Sequence, residues 1–194
     1  MLASAAAASY AAGTAFHCYA GDVSAQRMVH DARPDKDIWF TECSSTEGSD
    51  PFDNYLADTG RLVIDTTRNW ARSVIKWNLV LDDARGPTNN GCRTCYGVAE
   101  VKAATGAVTL HGEYYALGHA SKFVRVGARR VASETEGTGT GSAGLRHVAF
   151  RNPGGGVALV VLNDGPTSAS FRIETRGVAA AVQLPAGAMA TFVW

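Results

Sequence analysis

Ile38-Trp39-Phe40-Thr41-Glu42-Cys43-Ser44-Ser45 is an apolar run that ends on a carboxylate and passes at once into a polar loop. Read as a strand, it puts an ionisable group at a strand mouth, which is where parallel α/β sheets and barrels place their chemistry. A carboxylate at such a point can also merely cap a following helix. Glu42 is therefore a candidate catalytic group, and its surroundings decide between the two readings.

Outward from that run, short apolar strands alternate with longer helical segments. On the N-terminal side, Ala15-Phe16-His17-Cys18-Tyr19 is bounded by Gly13 and Gly21 and reads as a strand, and Val23 to Ala32 has helical character before Pro34. On the C-terminal side, Asp50-Pro51 offers a cap with proline at the first helical position. Phe52, Tyr55, Leu56, Thr59, Leu62, Val63 and Trp70 then recur at helical spacing, as one long helix or two shorter ones. Ser73 to Leu81 is a third strand, near-continuous in apolar character as buried parallel strands are, and a long loop runs from Asp82 to Gly97. Strand, helix, strand, helix, strand is the pattern of βαβ units, although three strands do not close a barrel. Glu113 to Phe123 reads as a helix that would cover the third strand, with Tyr114, Leu117 and Ser121 on one face and Tyr115, His119 and Lys122 on another.

Beyond Gly127 the period changes to two and turn residues recur every 8 to 12 positions, the pattern of an antiparallel β-sandwich. The expected strands are 130–133, 145–151, 157–162, 169–174, 178–184 and 188–194. Asn152-Pro153-Gly154, Asn163-Asp164-Gly165, Arg176-Gly177 and Pro185-Ala186-Gly187 supply turns between them. Phe150, Phe171, Phe192 and Trp194 fall in patterns that look inward. The glycine-rich stretch 137–144 resembles a phosphate-binding loop only in glycine count, since no lysine and no helix follow it.

At 194 residues and 46% hydrophobic, the chain can bury a substantial core in one or two domains. Lys+Arg and Asp+Glu both number 18, so no global field draws it to nucleic acid or an anionic membrane. No apolar stretch reaches the roughly 20 residues of a spanning helix, so no integral membrane segment is expected. Met1 to Ala8 lacks the basic start of a secretory signal and reads as the tail of a helix.

Several motifs carry a resemblance. His17-Cys18-Tyr19, Trp39-Phe40-Thr41-Glu42-Cys43, Lys76-Trp77-Asn78-Leu79-Val80-Leu81-Asp82, Gly86-Pro87, Glu113-Tyr114-Tyr115-Ala116-Leu117-Gly118-His119 and Ser121-Lys122-Phe123-Val124 together resemble glycoside hydrolase family 30, which includes the glucosylceramidases. The resemblance runs to the last strand, Ala190 to Trp194, and covers the C-terminal part of that family. It implies the C-terminal part of a (β/α)8 TIM barrel, strands 6 to 8, in residues 1–126, followed by a side β-sandwich in 127–194. It implies a retaining β-glycosidase acting through a covalent glycosyl-enzyme, with a carbohydrate or glycoside as substrate and no cofactor or metal. Carried over by position, Glu42 falls on the nucleophile. His17, Tyr19, Trp77 and Asn78 fall on or beside residues lining the sugar pocket, where an aromatic face such as that of Trp77 packs on the C–H face of a pyranose.

A retaining glycosidase needs two carboxyl groups roughly 5 to 5.5 Å apart. In the family, the acid/base glutamate follows an asparagine at the end of the fourth strand, and no Asn-Glu dipeptide occurs in this chain. Glu47, in the loop after the nucleophile, and Glu113, on a covering helix, are not convincing substitutes. The expectation is a fragment that is inactive or nearly so by itself, from a parent of secreted type, its own localisation left open.

Cys92-Arg93-Thr94-Cys95 can be a redox pair, half a zinc site or a local disulfide. Loop-forming neighbours argue against redox catalysis, and only Cys18 and Cys43 remain as further cysteine ligands, so a disulfide is the preferred expectation. Two readings stand beside the glycosidase: a carbohydrate-binding or structural sandwich module, and a metal or thiol protein built on Cys92 and Cys95.

Overall fold

The computed structural model describes residues 2–47, 53–135, 144–175 and 177–194, with backbone only at 53 and 54. The Asp50-Pro51 cap and Phe52, most of the glycine-rich stretch 137–144, and Arg176 of its turn lie outside the described residues. Two compact units form: Met1–Ser49 with Asp65–His111, and Asp50–Ile64 with Gly112–Trp194.

The first unit opens with the short helix α1 (Ala5–Ala8), whose N-cap Ser4 accepts from the Ala7 N–H. It continues through β1 (Gly13–His17), α2 (Ser24–Ala32), β2 (Asp37–Glu42) and β3 (Ser45–Thr46). A single helix, α3 (Asp53–Arg68), gives its last residues to this unit, followed by β4 (Ala71–Val74), β5 (Val80–Asp82), β6 (Cys95–Tyr96), β7 (Ala99–Val101) and β8 (Val108–Leu110). β1, β2 and β4 pair in parallel with β2 central, which is the βαβ arrangement expected of the sequence. Ile38 and Phe40 are buried on one face of β2. Gly13 permits the close approach of β1, because a Cβ there would fall on the carbonyl oxygen of Asp37 and 2.7 Å from Trp39 Cζ3.

One irregularity decides the chemistry of this sheet. Residues pair in step from Gly13 with Asp37 to Phe16 with Phe40, then the register shifts so that His17 stands opposite Glu42. Side chains alternate along a strand, so regular pairing would place Glu42 on the face of Ile38 and Phe40. The bulge at Thr41 turns Glu42 onto the face of His17 instead.

Three expectations for this unit need correction. Tyr19 is not on the first strand, which ends at His17, but in the loop beyond it. The single apolar strand 73–81 is two strands in different sheets: β4 pairs with β2, whereas β5 pairs with β7, which in turn pairs with β8. Trp77 and Asn78 therefore lie between strands, Trp77 in an isolated parallel bridge with Ser44. The peptide bond between them is cis. The segment read as a loop from 82 to 97 also contains β6, which pairs antiparallel with β3.

The second unit holds α4 (Gly112–Ser121) and six strands, β9 (Arg129–Val131), β10 (Leu145–Arg151), β11 (Val157–Asn163), β12 (Ala169–Thr175), β13 (Val178–Leu184) and β14 (Met189–Val193). One sheet runs β14-β11-β10-β9 and a second pairs β12 with β13, all antiparallel. β11 is central and covered on both faces. Val160 and Leu162 join Ile64, Ala116, Val148, Phe150 and Met189 in one cluster, while Leu159 and Val161 join Ala149 and Leu184 in another. That explains why Val157 to Leu162 is continuously apolar where a half-exposed strand would alternate. The helix read as a cover for the third strand instead sets Ala116 in the sandwich core and packs along β14, His119 bonding Thr191. Phe171 and Phe192 meet edge to face at 6.3 Å within the second cluster. Trp194 does not look inward: it follows the end of β14 and is 47% exposed.

Candidate functional site

Parallel strands present their C-terminal ends together, and here β1 and β2 end at His17 and Glu42, the last pair in their register. Glu42 is half-buried at that end. The Tyr19 hydroxyl donates to Glu42 Oε1 at 2.7 Å and stands 2.9 Å from Ser44 Oγ. A phenol has one proton, already given to the carboxylate, so the serine hydroxyl donates to Tyr19 in turn. Burial, the largest influence, together with the Glu42 carboxylate, holds the Tyr19 pKa above its ordinary value. Tyr19 is thus a neutral donor throughout the physiological range, and it occupies one carboxylate oxygen while leaving the other unclaimed by that bond. The His17 ring meets the Tyr19 ring edge-on at 5.7 Å.

Trp77 reaches the same region through the backbone. Its N–H donates to the Cys43 carbonyl at 3.0 Å, and its side chain is 47% exposed, an apolar face open to a ligand. Asn78 differs from the other candidates. Its carbonyl accepts from the Val98 N–H at 2.9 Å, and its side-chain Oδ1 is buried without a hydrogen-bond partner among the described residues.

The loops after β2 and β5 are tied to one another. Ser45 and Thr46 ladder with Tyr96 and Cys95, and Lys76 Nζ donates to Ser45 Oγ at 2.8 Å. Arg85 lies 4.9 Å over the Tyr96 ring and pairs with Glu47 at 2.6 Å. The His111 Nδ1–H donates to the Gly97 carbonyl at 2.8 Å, which fixes the tautomer behind Tyr96. The Arg85 hydrogen bond holds the Glu47 carboxyl below the usual carboxylate range. That is the wrong direction for a general acid, which needs a raised pKa. Glu113 is fully buried in the first turn of α4.

Cys92 and Cys95 are joined in a disulfide, and so are Cys18 and Cys43. With all four cysteines paired, no thiol is left for redox or zinc chemistry, and no group of three metal-ligating side chains gathers among the described residues. No helix among the described residues is long and apolar enough to cross a membrane. Sequence reasoning missed the second disulfide and Ser44. The available signal for the disulfide was an even cysteine count with Cys18 and Cys43 each beside a site candidate; for Ser44, an interior loop position, there was none.

Comparison with known proteins gives two matches that together take in nearly the whole chain. Residues 1–124 match the glycosyl hydrolase family 30 TIM-barrel domain, and residues 127–192 match the glycosyl hydrolase family 30 beta sandwich domain. An endo-1,6-beta-D-glucanase of Neurospora crassa is 33% identical over 164 residues, 81% of this chain and 33% of that protein. A putative glucosylceramidase 2 of Caenorhabditis elegans is 29% identical over 172 residues, 82% of this chain and 31% of that protein. The solved structure of an endo-beta1,6-glucanase superposes with a TM-score of 0.88 at 31% identity, covering 100% of this chain and 43% of that one. The chain spans about one third of the length of the curated relatives it matches.

Proposed function

The chain belongs to glycoside hydrolase family 30, a family of O-glycosyl hydrolases, and on that premise we propose that it carries the nucleophile half of a retaining β-glycosidase, with Glu42 as the nucleophile. The observation that carries this reading is the 2.7 Å hydrogen bond from the Tyr19 hydroxyl to Glu42 Oε1 at the mouth of two parallel strands. A carboxylate so held aims its other oxygen at an anomeric carbon. Attack forms the C–O bond of a glycosyl ester as the bond to the leaving oxygen breaks, and water then hydrolyses the ester. His17 lines the pocket beside Tyr19, and Trp77 offers its face to the sugar, with Asn78 next to it in sequence. The leaving oxygen needs a proton. Glu47 is held ionised by Arg85, so we place the acid/base carboxyl in a part of the barrel other than residues 1–126, and expect little or no turnover from this chain by itself.

The substrate best supported is a β-1,6-linked glucan, the linkage named for the Neurospora crassa relative and for the structure with a TM-score of 0.88. A glucosylceramide is the second reading, resting on the Caenorhabditis elegans relatives. Residues 127–194 serve as a structural module, since Phe150, Phe171 and Phe192 all turn to the interior of the sandwich. Two disulfides suit an oxidising, extracellular setting.

The test uses the complete protein. A 2-fluoro-β-glucoside with a dinitrophenolate leaving group, which needs no acid catalysis, is expected to esterify Glu42, as peptide mass mapping would show. Glu42→Gln is expected to abolish hydrolysis of β-1,6-glucan. Labelling at another carboxylate, or full turnover by Glu42→Gln, would remove the assignment; cleavage of glucosylceramide in place of the glucan would favour the second substrate.

A further inference from the structure

We propose that the Cys18–Cys43 disulfide is a positioning device that holds the Tyr19 hydroxyl on the Glu42 carboxylate where the ladder between β1 and β2 has run out. Its catalytic consequence rests on the reading of Glu42 as nucleophile.

The bridge is placed with respect to that pair on both strands. Cys18 immediately precedes Tyr19, and Cys43 immediately follows Glu42. His17 opposite Glu42 is the final step of the register, so no further ladder hydrogen bond joins the two strands beyond it. The disulfide stands at the next position, its Cα atoms 5.3 Å apart, close to the spacing of neighbouring strands. It continues the ladder covalently by one step.

Little else fixes Tyr19. The residue is 55% exposed and lies beyond the strand, so core packing does not determine its place. Its polar and ring contacts among the described residues are the bonds to Glu42 and Ser44 and the edge of the His17 ring. Hydrogen bonds made in view of water return little more than the conformational freedom lost in ordering a loop residue. The covalent link one residue away removes most of that freedom before the hydrogen bond forms. The other disulfide has no such placement: Cys92 and Cys95 close a tight turn that leads into β6.

Two measurements test the clamp. In the chain labelled with ζ-13C tyrosine, an NMR pH titration assigns Tyr19 through Tyr19→Phe and reads the phenol directly. The midpoint is expected above the ordinary value in the disulfide form, and at the ordinary value in Cys18→Ser/Cys43→Ser and in folded wild-type protein reduced with a phosphine. An unchanged midpoint in the variant or the reduced protein overturns the proposal. The second measurement is a double-mutant cycle in the complete protein. Tyr19→Phe and Cys18→Ser/Cys43→Ser are each expected to lower kcat about tenfold, the size of one hydrogen bond to a charged group, with KM little changed. The triple variant should be no slower than Tyr19→Phe, because both changes remove the same interaction. Losses that multiply would show that the disulfide acts elsewhere. If Glu42→Gln kept full turnover, the nucleophile assignment would fall, and the NMR titration would still decide whether the clamp exists.

Discussion

Asn163 is the residue whose replacement puts the architecture of the sandwich to its hardest test. It ends β11 at 1% exposure, and its side-chain amide Nδ2 lies 2.8 Å from the Thr167 carbonyl and 2.9 Å from those of Leu184 and Pro185. Its Oδ1 accepts from the Gly165 N–H at 3.1 Å. One side chain thereby pins the turn after β11 to the turn before β14, and so holds the two sheets together. Asn163→Ala removes two donor protons and an acceptor at about 1 kcal/mol each and leaves carbonyls stranded, a loss of roughly 3 to 4 kcal/mol. Asn163→Asp keeps the shape but turns a carboxylate oxygen towards three carbonyl oxygens. The ionised form is penalised there, so the pKa of the new side chain in the folded protein rises above its unfolded value of about 3.9. With the folded pKa raised, stability is lost as pH rises through that value and regained as pH falls, at about 1.4 kcal/mol per unit between the two pKa values. Urea melts followed by far-UV circular dichroism are expected to show Asn163→Asp below Asn163→Ala at pH 7 and recovering towards pH 4.5. A loss under about 1 kcal/mol for either variant, or a pH-independent deficit for Asn163→Asp, would refute the reasoning.

Three further outcomes follow from geometry already described. Gly13→Ala drives a methyl onto the Asp37 carbonyl and should cost about 2 kcal/mol or more, read as a lower urea midpoint, because backbone rather than a flexible side chain must move. Loop-closure entropy, taken over separations of 25 and 3 residues, assigns about 3.5 kcal/mol to Cys18–Cys43 and about 1.6 kcal/mol to Cys92–Cys95. Serine pairs at each site should differ in that order in the same melts. Burial holds the His119 imidazole below its ordinary 6.5, so its contribution is present above that pH and is lost as pH falls through the folded value. His119→Asn, which keeps a donor for Thr191 Oγ1, should flatten the fall in stability between pH 7 and 5, as thermal melts would register.

Much of this molecule is legible in its sequence, and the exceptions share a cause. Helical spacing after Pro51, alternation in residues 169–175 and the turn residues between them express local preferences, and α3, β12 and the sandwich turns follow them. The position of Glu42 at a strand end is local too. The apolar run 73–81 misleads because apolar character reports burial, not which neighbour a strand pairs with, and Val80–Asp82 finds its partner in β7. Residues 157–162 look unlike a sandwich strand because both their faces are covered, a fact held in the clusters on either side. The same limit applies to the candidate site. Tyr19 is visible as a motif residue, but its bond to Glu42, the part played by Ser44 and the Cys18–Cys43 link are relations between distant segments brought together only by folding.

The bulge at Thr41 carries an evolutionary consequence. Strand alternation makes the facing of residue 42 depend on the parity of the residues before it, so its orientation responds to insertion and deletion rather than to substitution. Insertion of a single residue after Thr41 would leave Ile38 and Phe40 undisturbed, while the newcomer took the place opposite His17 and the carboxylate turned away from His17 and Tyr19. Acquiring or abandoning chemistry at this strand mouth is then a frame-preserving, three-nucleotide event. In composition, descendants of such an insertion would be almost indistinguishable from their active cousins.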